Sequence, residues 1–151
     1  MRASVTFVAL AVASVSAQTN YNFTSELDMT IDPNTVKQSD RAVWCRAQTD
    51  TCSLLCNKNA EVNSCTESTL KWNCTCGSNS STPGIEFYQQ TVPYFICEAL
   101  YGQCIQQGAG TIRGQDVCND NIKPLCATNP PPKEPVSDSS ETSGTATSHG
   151  F

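Results

Sequence analysis

An apolar run near the start of the chain is too short to span a membrane. Residues 5–15 are mostly apolar, follow the positively charged Arg2 and end before the small residues Ser16 and Ala17. This order of positive charge, apolar core and small residues is typical of a secretory signal peptide. We therefore predict that residues 1–17 are a signal peptide that is removed on secretion.

Apolar and polar positions alternate from residue 21 to residue 31. One side of this alternation carries Tyr21, Phe23, Ser25, Leu27, Met29 and Ile31. A period of two predicts an extended strand or arm with one buried edge. The turn residues Asp32-Pro33-Asn34 then end it.

A helical pattern follows, with a cap at Ser39 or Asp40 and an end near Asn57. Its cysteines have the spacing i, i+7 and i+11, which places them on one helix face. These residues are Cys45, Cys52 and Cys56. Residues 60–82 are rich in Ser, Thr and Asn and hold three further cysteines, so we expect loops fixed by disulfides there.

The most apolar part of the remaining chain is residues 85–105. Thr91 can cap a helix that has Pro93 in its first turn. One face of that helix carries Cys97, Leu100, Tyr101 and Cys104. Gly102 lowers its helix propensity and indicates close packing. A weaker helix is predicted from Gly114 to Ile122, because Pro124 prevents its continuation.

Composition changes after Cys126. Residues 127–151 are rich in Ser, Thr and Pro, which predicts a disordered, O-glycosylated tail. The last residues, 148–151, form no apolar segment, so a lipid-anchor signal is not expected.

We predict one small disulfide-rich, mainly α domain over residues 18–126. It has two or three short helices, a short N-terminal extended arm and loops fixed by about five disulfides.

All ten cysteines lie beyond the predicted signal peptide, and an even number in a small secreted domain indicates disulfides. The spacing does not determine how they pair. The cysteines are Cys45, Cys52, Cys56, Cys65, Cys74, Cys76, Cys97, Cys104, Cys118 and Cys126. A zinc site or a redox pair at Cys74-Thr75-Cys76 is the alternative, but no histidine lies nearby and no thioredoxin-like pattern surrounds it. We expect no metal and no cofactor.

Three N-glycosylation sequons are consistent with secretion and predict glycans on surface loops. Their acceptor residues are Asn22, Asn73 and Asn79. Asn73 is the weakest of the three, since a disulfide through Cys74 can close before the glycan is attached.

Charge and histidine content exclude several kinds of chemistry. The net charge of −5 argues against a nucleic-acid partner. The single histidine, His149, lies in the tail, so the domain has no imidazole base or ligand.

Glu86, Glu98 and Asp116 are candidates for a glycosidase pair, but surface acids are the favoured interpretation. The aromatic residues Phe87, Tyr88, Tyr94, Phe95 and Tyr101 could line a pocket, although core packing is favoured. We expect no catalytic residues and no enzyme activity.

Two segments resemble a family of small secreted fungal cysteine-rich proteins. They are residues 42–56 (AVWCRAQTDTCSLLC) and residues 90–97 (QTVPYFIC). The resemblance covers residues 21–126 and implies a surface protein with a Ser/Thr-rich stalk, often lipid-anchored in the wall. It implies no known reaction.

These observations predict a glycosylated structural component of a fungal cell wall or spore surface that masks underlying polysaccharide. Its expected partners are wall polysaccharide or wall proteins, without nucleic acid and without a transmembrane segment. The alternative is a soluble secreted effector, associated with virulence, that binds a host protein or a glycan.

Overall fold

Three α-helices and a two-stranded antiparallel sheet make up the fold of residues 21–136, the part of the chain described by the computed structural model. The predicted signal peptide and residues 137–151 of the predicted tail lie outside this range. In chain order the elements are α1 (Gln38–Leu55), β1 (Ala60–Thr66), β2 (Lys71–Cys76), α2 (Val92–Gln107) and α3 (Ile112–Asn121). Short 3-10 turns occur at Glu26–Asp28, Pro33–Thr35, Ile85–Phe87 and Lys123–Leu125.

The predicted N-terminal strand is replaced by a 3-10 turn. Ser25 Oγ accepts the Leu27 N–H at 3.1 Å and so begins the turn at Glu26. Thr24 donates to the carboxylate of Asp28, and this hydrogen bond lowers the pKa of Asp28. The turn reverses the expected alternation, because Glu26 is buried and Leu27 is 49% exposed. The strand prediction is therefore wrong at its centre, where local side-chain capping determines the backbone.

Helix α1 presents its three cysteines on one face as predicted, and two of them, Cys52 and Cys56, belong to a buried cluster. It begins at Gln38, just before the expected caps, and ends two residues before Asn57. Asn57 and Lys58 then adopt the left-handed conformation, with φ of 51° and 58°, and turn the chain into β1.

Residues 60–76 of the region expected to be loops form a β-hairpin, so the loop prediction is wrong there, whereas the expected disulfides are confirmed. β1 pairs with β2 in antiparallel register, with Asn63 opposite Cys74 and Cys65 opposite Trp72. Trp72, Cys74 and Cys76 alternate with more exposed residues along β2. Disulfides take the place of the apolar side chains that normally make a buried strand face recognisable. The fold is thus helical with an added hairpin.

Helix α2 begins where its sequence predicts. Thr91 Oγ1 accepts the Tyr94 N–H, and Pro93 lies in the first turn. A second acceptor comes from α1, because Gln48 Oε1 accepts the Val92 N–H at 2.8 Å in a fully buried position. Gly102 does not mark close packing, since a Cβ there would meet nothing within 4 Å.

Close packing occurs instead between the ends of α2 and α3. A Cβ on Gly114 would lie 2.9 Å from the Cα of Gly108, so the two backbones touch. Helix α3 begins at Ile112, two residues before the prediction, because Thr111 Oγ1 caps it by accepting the Gly114 N–H at 3.1 Å.

Ordered contacts continue beyond the domain end predicted at Cys126. Asn129 joins the 85–90 segment, where its carbonyl accepts the Gln89 N–H at 2.8 Å. The Val136 N–H donates to the Leu54 carbonyl at 3.1 Å. Residues 127–136 therefore lie against the domain, which differs from the disordered start expected for the tail.

The core has two parts. The larger cluster contains the buried residues Met29, Leu70, Val92, Ile96, Cys97, Cys104, Cys118, Ile122 and Cys126. The smaller cluster contains Cys52, Cys56, Cys74, Cys76 and Ile85. Cysteine thus contributes four of the five residues in the smaller cluster and four of the nine in the larger one.

Candidate functional site

All ten cysteines form disulfides, and none is free. The pairs are Cys45–Cys65, Cys52–Cys74, Cys56–Cys76, Cys97–Cys126 and Cys104–Cys118. This confirms the expected five bridges and supplies the pairing that the spacing left open. Bridges of this number are typical of extracellular proteins.

Three bridges join α1 to the hairpin, and we call them the helix–hairpin bridges. The spacing explains two of them. Cys52 and Cys56 are one helical turn apart, about 6 Å along the axis. Cys74 and Cys76 are two strand residues apart, about 6.8 Å. A helix and a strand that run side by side can therefore match the two pairs without distortion.

The other two bridges fix the second half of the fold. Cys104–Cys118 connects α2 to α3 across 14 residues, and Cys97–Cys126 ties α2 to the chain beyond α3 across 29 residues. Both bridges are buried among apolar side chains.

The sulfur atoms of Cys52, Cys56 and Cys74 lie within 4.8 Å of one another, a distance that could suit a metal ion. All three belong to two adjacent disulfides, however, and a bridged sulfur has no thiolate to offer a metal. Cys74 and Cys76 are each bonded to a cysteine of α1 rather than to each other, so they are not a dithiol pair.

The three sequon asparagines, Asn22, Asn73 and Asn79, are exposed. Asn73 lies on β2 between the half-buried Trp72 and the buried Cys74. Exposure is required for glycosylation, and glycosylation at these three residues stays a prediction.

The three acids considered as a catalytic pair have different surroundings. Glu98 binds Lys123, with Oε1 2.6 Å from Nζ, and this hydrogen bond raises the pKa of Lys123. Asp116 is exposed on α3, whereas Glu86 is half-buried. Glu86 lines a cleft together with another acid, Glu26.

Glu26 is the notable acid of the fold, and it was not among the candidate acids predicted from the sequence. It is 2% exposed, and its Oε2 accepts the Ala127 N–H at 3.0 Å. Its Oε1 accepts no hydrogen bond from the described residues. Burial raises the pKa of Glu26 to about 7; the Ala127 N–H lowers this pKa in part, and the charges of Glu86 and Glu98 raise it further.

An open cleft of about 370 Å³ lies at Glu26. Its walls come from the N-terminal turn, the Ile85–Phe87 turn and the segment after α3. Ser25, Glu86, Phe87, Leu125 and Asn129 are among its lining residues. The alternation placed Glu26 on the polar side of an arm, but the capping pattern Ser25-x-x-Asp28 could have indicated a helical turn there.

The aromatic residues considered as a pocket are distributed over the fold. Phe95 stacks on Trp44 with ring centroids 5.3 Å apart, and Tyr101 donates to Asn119 Oδ1 at 2.8 Å. Phe87, 60% exposed, is the only one of the five that lines the cleft at Glu26.

Comparison with known proteins gives one match. A family model described as a domain of unknown function (DUF7707) matches residues 29–131. No curated protein and no solved structure matches the chain. Among residues 21–136, no helix is long and apolar enough to cross a membrane.

Proposed function

Because the chain belongs to the DUF7707 family, a domain of unknown function, we propose a function from its own structure and sequence. The protein is a secreted, glycosylated structural component of a fungal cell wall or spore surface, where it covers underlying polysaccharide. It acts by binding and persistence, without a catalytic centre.

The observation that carries this proposal is the complete oxidation of ten cysteines into five bridges. Each bridge stabilises a small domain by about 2–4 kcal/mol, against a typical net stability of about 5–15 kcal/mol. A domain stabilised in this way resists unfolding and therefore proteolysis, as a surface component must.

The exposed sequons support the same proposal. Glycans on Asn22, Asn73 and Asn79 would lie on the outer surface of the N-terminal segment, the hairpin and the loop after it. A protein that carries glycans at these positions and continues into a Ser/Thr/Pro-rich tail presents a hydrophilic outer layer.

Fractionation of a producing culture tests the proposal. We expect the protein to remain with washed walls or spores and to be released only by wall-digesting enzymes. A variant that lacks residues 137–151 should fold normally but be retained less. Quantitative recovery of the full chain from the medium would contradict the wall assignment.

The second candidate is a soluble secreted effector that binds a host protein or a glycan. It is favoured by large apolar side chains on the surface, among them Ile112 at 83% and Val43 at 60% exposure. This function predicts that the protein appears in the medium and that Ile112→Ser reduces partner capture without a loss of stability.

A further inference from the structure

Glu26 Oε1 is a buried polar atom for which residues 21–136 supply no donor. The other oxygen of the same carboxyl group is occupied by the Ala127 N–H. Buried polar atoms in native proteins nearly always have a partner, so each exception requires an explanation. Because Glu26 lines the cleft, a turn of its side chain would bring Oε1 to a ligand there that provides the missing donor.

The charge of the cleft favours a cation. Glu86 lines the same space, and no Lys or Arg is among the lining residues. Glu98 also acts electrostatically on Glu26, but it is bound to Lys123. Within the described chain neither Glu26 nor Glu86 takes part in an ion pair.

The number of available acceptor oxygens favours an ammonium group over other cations. A guanidinium group binds best to both oxygens of one carboxylate, and Glu26 has only one oxygen available. Calcium requires about six to eight oxygen ligands and prefers ionised carboxylates that can bind through both oxygens, whereas one Glu26 oxygen is already occupied by the Ala127 N–H. An ammonium group has three donors and no acceptor, so it can donate to Glu26 Oε1 and keep donors for a second acceptor in the cleft.

Phe87 and Asn129 indicate what carries the ammonium group. The Phe87 ring lies over Gly84, where a Cβ would be 2.7 Å from it, and is 60% exposed. Asn129 Nδ2 donates to the Phe87 carbonyl at 3.0 Å, and Asn129 Oδ1 has no donor among residues 21–136. An exposed ring beside an amide oxygen offers a stacking surface and a hydroxyl acceptor, a combination suited to a sugar.

We propose that the cleft lined by Glu26, Glu86, Phe87 and Asn129 binds an amino sugar of a polysaccharide through its protonated amine. The volume of about 370 Å³ is at the small end of ligand sites, which suits one sugar ring rather than a long segment. The inference rests on the proposed wall function only for the source of this polysaccharide.

Calorimetric titration of the full secreted protein at about pH 7, where Glu26 begins to ionise, tests the inference. The probes are a glucosamine trimer, the N-acetylglucosamine trimer, a glucose trimer and Nα-acetyl-lysine amide. We expect only the glucosamine trimer to bind. Acetylation removes the charge of the amine, the glucose trimer has no amine, and the lysine amide has no sugar ring. Glu86→Gln should weaken this binding about tenfold or more, and Phe87→Ala should also weaken it.

Glu67→Gln is the matched control, because it removes the same charge from an exposed position in the hairpin turn. It should leave affinity unchanged. Equal weakening by Glu67→Gln and Glu86→Gln would overturn the cleft assignment. Equal binding of the acetylated trimer would overturn the role of the amine, and equal binding of the lysine amide would overturn the sugar.

The two proposals fail in different ways. If the protein remains with washed walls but binds no glucosamine trimer, the cleft assignment is wrong and the wall function stands. If the trimer binds and the protein is found in the medium, the cleft assignment stands without the wall function.

Discussion

The two halves of this domain are held together differently. The helix–hairpin half, residues 38–76, has three bridges between α1 and the hairpin, and its small buried cluster is mostly sulfur. The helical half, residues 92–126, has two bridges within a cluster that also contains Val92, Ile96 and Ile122. Apolar burial therefore remains in the helical half when its bridges are removed, whereas little remains in the other half.

The largest expected effect is the loss of a helix–hairpin bridge. Replacing Cys52 and Cys74 together by Ala should lower stability by about 3–5 kcal/mol, because both sulfur atoms are fully buried and few apolar contacts replace them. Thermal unfolding measures the loss, and hydrogen exchange should show β2 opening first.

The matched variant replaces Cys104 and Cys118 by Ala in the helical half. Its loss should be smaller, about 2–3 kcal/mol, because the bridge closes a shorter loop and Ile122, just after α3, stays in the apolar cluster with Val92 and Ile96 of α2. Equal losses in the two variants would contradict the difference between the halves.

Acidity should have the next largest effect, and it acts on the helical half, because the N-terminal turn that holds Glu26 packs against α2. The pKa of Glu26 is raised to about 7 in the folded protein, whereas the same carboxyl group has a pKa near 4.5 in the unfolded chain. The folded state therefore favours the protonated acid: its stabilising effect is complete below pH 4.5 and is lost as the pH rises through 7. The total change is up to about 3 kcal/mol.

Glu26→Gln should remove this dependence, since the amide stays neutral and keeps an oxygen for the Ala127 N–H. Glu67→Gln, at an exposed position, should retain it. Chemical denaturation at pH 4.5 and pH 8 measures both variants. A wild-type protein that is more stable at pH 8 would contradict the environment assigned to Glu26.

Breaking the hydrogen bond that connects the two halves should have a smaller effect on stability. Gln48 on α1 accepts the first backbone N–H of α2, and Gln48→Leu leaves that buried donor without a partner. We expect a loss of about 1–3 kcal/mol by thermal unfolding. Gln106→Leu, at an exposed position in α2, should change stability by less than about 0.5 kcal/mol.

The parts that sequence predicted are those set by local chemistry. The Thr91 cap and Pro93 determine where α2 begins, and the i, i+7, i+11 spacing places three cysteines on one face of α1. The hairpin was missed because β2 buries Cys74 and Cys76 where a recognisable strand buries apolar residues. Glu26 was missed because the contact that orients it, from Ala127, is 101 residues away in the chain.

The smallest predicted effect comes from two glycines of the helical half. Gly102→Ala should stabilise the protein by about 0.5–1 kcal/mol, because the added Cβ meets nothing within 4 Å and alanine favours the helix. Gly114→Ala should destabilise it, since its Cβ would lie 2.9 Å from the Gly108 Cα. Thermal unfolding of the two variants provides the comparison. A gain in stability for Gly102→Ala together with a loss for Gly114→Ala would show that bridges and apolar contacts hold α2 in place. The sequence of α2 then has less than the highest possible helix propensity. A loss at Gly102 would instead mean that this helix face is covered in the folded protein.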